Sequence, residues 1–138
     1  MFRVTRILLP VAGALIAGLA LAGEPSPPPA KVAPMTQEQL LEHQARHPDH
    51  LFVLDVRTPA EYAEGHVPGA VNVPHDQIAS RLAEVPKDKD VVLYCRSGRR
   101  AALAADVLTA HGYTRLSHLE GDMQAWVEKG RTVEKPEK

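Results

Sequence analysis

An α/β domain, with a parallel sheet covered by helices on both faces, is the fold this sequence predicts. Three observations carry that expectation. Short strand-like runs alternate with segments of helical spacing along the chain. The runs LFVLDV, AVNVP and VVLYC are continuously apolar, as strands buried on both faces of a sheet require. Glycine and proline punctuate the connections between them, which separates the elements cleanly.

Taken in order, the folded region opens near Met35. Thr36 followed by Gln39 has the capping-box form and predicts a helix through about Arg46. LFVLDV is the first strand. A helical turn led by Pro59 follows, and Gly65, Pro68 and Gly69 end it. AVNVP is a second strand. Ile78 and Leu82 give HDQIASRLAEV helical spacing, and Pro86 with KDKD makes an exposed turn. VVLYC is a buried strand, and RAALAADVLTAHG is a helix closed by Gly112. RLSHLEG reads as a strand and DMQAWVEKG as the last helix, with Leu119 and Trp126 in the core. The charged residues 131–138 are expected to fray.

The amino-terminal residues read differently. Arg3 and Arg6 precede an apolar run from Ile7 to Leu21, and Ala20-Leu21-Ala22 has the small-x-small form of a processing site. The run is interrupted by Pro10, Gly13 and Gly18 and is shorter than the roughly 20 residues of a spanning helix. Residues 1–22 are therefore expected to be a secretory signal, with no stable membrane insertion after cleavage and a periplasmic destination. No cysteine follows the site, so a lipid anchor is not expected. Residues 23–34 carry Pro25, Pro27, Pro28, Pro29 and Pro34 and read as an extended spacer. Residues 35–130 form the expected domain.

Composition narrows the function. Charged residues make up 24% of the chain and its formal net charge is −1, which gives no electrostatic footprint for nucleic acid or an anionic membrane. Removal of Arg3 and Arg6 would make the remainder more acidic. A single cysteine, Cys95, cannot form an internal disulfide. In an oxidising compartment such a thiol is either buried structure or a group with a task.

Its neighbours decide for a task. Cys95 stands at the carboxyl end of a predicted strand and ahead of a predicted helix, where ligands bind in parallel α/β sheets. The unpaired amides and positive dipole end of such a junction form an anion cradle. Gly98 permits the sharp bend, and Arg96, Arg99 and Arg100 add donors suited to an oxyanion. Every one of these elements favours an anionic sulfur. A thioredoxin-like redox role lacks its second cysteine. His111 lies a full helix away in sequence, so a protease-like Cys–His pair would need His66 or His75 to approach through the fold.

At these residues the chain resembles the rhodanese-like sulfurtransferases. LDVRTPAEYAEGHVPGAVNVP resembles the family's amino-terminal signature, VVLYCRSGRRA its active-site loop, and GYTRLSHLEGDMQAW the stretch that ends the domain. The resemblance runs from about Met35 to Lys129. It implies that Cys95 takes the outer sulfur of thiosulfate as a persulfide and passes it to cyanide or another thiophile, without a cofactor or metal. It implies a six-residue cradle from Cys95 to Arg100, in which Arg96, Ser97, Gly98, Arg99 and Arg100 bind the donor. It further implies that Asp55 and Arg57 order the site; from the residues alone, Arg57 could instead form a surface pair with Glu61. The partners are a small anionic sulfur donor and a thiophilic acceptor, an acceptor protein among the options. Phosphatases of this fold have a loop one residue longer, closed by an arginine where this chain has Ala101. A non-catalytic binding module or a persulfide carrier is the alternative reading. The chain departs from many relatives in carrying Asp122 where a second glycine usually follows the match to Gly121. His43, His47 and His50 cluster in EHQARHPDH, but without a complete ligand set they read as a solvated helix end.

Overall fold

A computed structural model describes residues 32–137; the expected signal and most of the spacer lie outside them. Five strands form one sheet: β1 (Ala33–Met35), β2 (Leu51–Asp55), β3 (Val71–Asn72), β4 (Asp90–Tyr94) and β5 (Leu116–Leu119). Their order is β1-β5-β4-β2-β3, and every adjacent pair is parallel. Four helices connect or flank them: α1 (Gln37–Arg46), α2 (Pro59–Glu64), α3 (Arg99–Ala110) and α4 (Asp122–Glu128).

Alternation along the strands sends side chains to two cores. Leu54, Val91 and Leu93 pack with Ile78 and with Ala101, Ala104, Ala105 and Leu108 of α3. Val53, Val92 and Tyr94 face the opposite way, against Leu40 of α1 and Met123 and Trp126 of α4. The central strands are thus covered on both faces, which is why they read as unbroken apolar runs. The expected capping box of Thr36 with Gln39 forms at α1, and the structure adds a second, Thr58 with Glu61, at α2.

Three expectations are corrected. The spacer does not run to residue 34, because Ala33 and Pro34 belong to β1, which pairs with Ser117 and His118 of β5. Residues 75–84 form two 3₁₀ segments, His75–Ser80 and Leu82–Glu84, broken at Arg81. The Tyr113 hydroxyl lies 3.0 and 2.5 Å from the Leu82 and Val85 carbonyl oxygens and pins the end of the second segment. The residues after α4 are also tied down. The Trp126 indole donates to the Thr132 carbonyl at 2.9 Å, Arg131 bonds Gln37 and Glu38, and Glu134 bridges the backbone of His66.

Candidate active site

Strand β4 delivers Cys95 to the carboxyl edge of the sheet, and Gly98 caps α3 three residues later. Gly98 has φ 111°, a conformation side-chain-bearing residues rarely adopt. A Cβ there would lie 3.2 Å from Asp122 Oδ2, a tight contact, and 3.6 Å from His118 Cε1, an ordinary one, so the backbone conformation is the main reason for glycine. The Gly98 N–H donates to Cys95 Sγ at 2.9 Å. The first backbone bond of α3 runs from Ala102 N–H to the Gly98 carbonyl at 3.0 Å. The helix therefore supplies no acceptor for the amides of Arg99, Arg100 and Ala101, which remain for an anion. Cys95 is 1% exposed, a sulfur at the floor of a small backbone bowl.

The basic side chains of the loop divide into two kinds. Arg96 and Arg99 are exposed. Arg100 is not free: its Nη1 and Nη2 donate to Glu61 Oε1 and Oε2 at 2.7 and 2.9 Å. This hydrogen bond holds the Glu61 carboxyl far below the usual range, at about 2. The bidentate clasp ties α2 to the start of α3. It leaves Arg96 and Arg99 as the guanidinium donors able to meet an incoming anion.

Asp55 and Arg57 lie under the loop rather than in its mouth. Arg57 Nε and Nη2 donate to Asp55 Oδ1 and Oδ2 at 3.0 and 2.6 Å, and Nη2 also reaches the Gly65 carbonyl at 2.8 Å. The alternative surface pair of Arg57 with Glu61 does not form: Arg57 bonds the buried Asp55, and Glu61 bonds Arg100. The Tyr94 hydroxyl donates to Asp55 Oδ2 at 2.7 Å and accepts the Val67 N–H at 3.0 Å. Burial first, then the neighbouring Asp55 charge, push the Tyr94 phenol far above its ordinary value. Asp55 and Arg57 thus fix the residue immediately before Cys95.

The histidines raised by the sequence do not reach the sulfur. His66 stacks on Tyr62 with ring centroids 3.7 Å apart, His75 donates its backbone N–H to Val56, and His111 caps the far end of α3. No group of three or more His, Cys, Asp or Glu side chains converges on a common point among the described residues. The histidine that does reach the loop is one that sequence reasoning missed. His118 Nε2 donates to Asp122 Oδ1 at 2.9 Å, and the same oxygen accepts the Cys95 N–H at 3.0 Å. The only hint in the sequence was the four-residue spacing of His118 and Asp122 across a strand end.

A family model, the Rhodanese-like domain, matches residues 36–129. The chain belongs to the rhodanese-like family. A sulfurtransferase of Allochromatium vinosum is 43% identical over 89 residues, 64% of this chain and 83% of that one. A thiosulfate:glutathione sulfurtransferase of Saccharomyces cerevisiae is 35% identical, covering 62% of this chain and 70% of its own. The crystal structure of a rhodanese-related protein from Thermoplasma volcanium superposes with a TM-score of 0.66 at 27% identity, covering 75% of this chain and 99% of the other. These relationships support sulfur transfer as the chemistry of the rhodanese-like site.

Proposed function

We propose that this protein is a thiosulfate sulfurtransferase working through a Cys95 persulfide. The Cys95 thiolate attacks the outer sulfur of thiosulfate. The sulfur–sulfur bond of the donor breaks, and sulfite leaves with its electron pair. The transferred atom stays on Cys95 as an anionic persulfide. A thiophile such as cyanide then attacks that outer sulfur, leaving as thiocyanate and restoring the thiolate. One observation carries this reading: the sulfur lies at the floor of an amide-lined bowl, with Gly98 N–H already aimed at it at 2.9 Å. Such a bowl accepts a single terminal sulfur end-on, while amides preorganised at its rim stabilise the anion that forms there. Arg96 and Arg99, exposed beside the bowl, would meet the sulfonate end of the donor.

A larger acceptor is favoured by a second observation. A groove of about 780 Å³ adjoins the loop, and its lining includes Arg57, Glu61, Arg96, Met123, Gln124 and Arg131. Its mixed charges suit a zwitterionic thiol or a protein surface better than cyanide. The arginine-flanked apolar run at residues 1–22 supports export, with the periplasm as the site of action.

Intact-mass measurement after incubation with thiosulfate tests the mechanism. The wild type should gain one sulfur atom per chain and Cys95→Ser none. Equal mass gain in the variant would remove Cys95 from the reaction.

A further inference from the structure

We propose that Asp122 and His118 form a positioning pair behind the loop, in which Asp122 anchors the Cys95 amide and the His118 imidazolium cancels the carboxylate's charge at the sulfur. Asp122 is 2% exposed and adopts φ 54°, which turns its side chain beneath the loop at the very start of α4. Its Oδ1 joins the two partners, accepting from Cys95 N at 3.0 Å and from His118 Nε2 at 2.9 Å. A carboxylate only accepts, so the proton lies on Nε2. The Met123 and Gln124 amides donate to the carbonyls of Cys95 and Arg96 at 2.9 and 3.2 Å. The beginning of α4 and the beginning of the loop are therefore one hydrogen-bonded unit, with Asp122 at its centre.

The electrostatic consequence follows from position. A bare carboxylate bonded to the amide of Cys95 opposes both an anionic sulfur and an approaching anionic donor. With His118 protonated the pair is neutral, and the opposition is lifted. The charged groups facing His118 are Asp122 from α4, Glu120 from the turn ahead of α4, and Asp106 of α3, which lines the same cleft. All three are acidic. The hydrogen bond to Asp122, and behind it the Asp122 and Glu120 charges, raise His118 above its ordinary value. The imidazole accordingly stays charged to higher pH than a free histidine and loses its proton as the solution becomes alkaline. Cys95 reactivity is thereby coupled to the protonation of a residue outside the bowl.

The pair rests on Cys95 being the reacting atom, but its test needs no sulfur donor. The rate at which iodoacetamide alkylates the sole cysteine is followed by intact mass between about pH 5.5 and about pH 9, a range that brackets histidine titration. Wild type should react about threefold to tenfold faster than His118→Gln at the acid end, the size of effect a nearby charge exerts. That ratio should fall to about one at the alkaline end, where both side chains are neutral. In an Asp122→Asn background the His118 substitution should make no difference at neutral pH, because the group that keeps the imidazole charged is gone. His118 has 35% of its side chain exposed, so its replacement is tolerated and the ratio can be read from that variant alone. If Asp122→Asn does not fold, Asp122→Gly, whose backbone suits φ 54°, takes its place. A ratio that stays constant with pH, or one that persists undiminished without Asp122, overturns the pair. Failure to take sulfur from thiosulfate alongside a pH-dependent ratio would remove the donor assignment and leave the pair standing.

Discussion

Two ion pairs hold the Cys95 loop, and they sit in opposite dielectric surroundings. Beneath the loop, Asp55 and Arg57 have side chains 0% and 6% exposed, and Tyr94 and the Gly65 carbonyl complete their bonds. At its flank, Arg100 and Glu61 are 25% and 29% exposed and bond each other bidentately. Both contacts are arginine–carboxylate pairs of similar length. Their energetic roles differ because breaking a buried pair strands a charge that water cannot reach, whereas a half-exposed pair re-solvates. The first is a keystone of the fold beneath Cys95. The second adjusts where the loop sits relative to α2.

The buried pair should show the largest effect. Asp55→Ala leaves Arg57 charged and unpaired and takes the acceptor from Tyr94. We expect a loss of about 3–5 kcal/mol in unfolding free energy, measured by urea denaturation. A loss under about 1 kcal/mol would place this pair with the exposed one and end the contrast.

Tyr94→Phe probes the same network one bond further out. It strands the Val67 N–H, which is buried, and removes one hydrogen bond from Asp55. The expected loss is about 1–2 kcal/mol by the same measurement. An unchanged midpoint would mean that the network is held by Asp55 and Arg57 alone.

The same contrast between buried and exposed governs what the sequence made legible. The central strands, the Thr36 capping box and the position of Cys95 were readable because each rests on a local signal: an apolar run, a Thr with a partner three residues on, a strand-to-helix junction. Strand β1 was not readable, since Ala33-Pro34-Met35 has no strand signature and is ordered by pairing with β5. Residues after α4 look like a charged tail, yet Arg131 and Glu134 find partners nearly a hundred and nearly seventy residues earlier. In the site, the thiol and its glycine were visible from sequence. The carboxylate partners are not legible: sequence proximity offers Arg57 to Glu61, whose partner is Arg100, 39 residues away. Asp122 was read only as a backbone question, because sequence shows a left-handed residue more readily than the amide its side chain will meet. Partner choice among charges is a tertiary property, and sequence proximity is a poor guide to it.

Glu61→Gln should give the smallest effect, and its pH dependence sharpens the contrast further. The folded-state value of Glu61 is depressed from the ordinary 4.5 to about 2 by the Arg100 hydrogen bond. A depressed carboxyl stabilises the fold fully above its unfolded value and loses that contribution as pH falls through the folded one. Because over a quarter of the carboxylate side chain is exposed, solvent screening limits the advantage of wild type over Glu61→Gln to under about 1 kcal/mol at neutral pH. Between pH 4.5 and about 2 the wild type protonates Glu61 and approaches the variant, which has nothing to titrate there. Unfolding midpoints of the two proteins should therefore differ slightly at neutral pH and converge across that acid window. A difference that stays constant through it would show that Glu61 acts by shape and hydrogen bonding, and that its charge does not hold α2 to the loop.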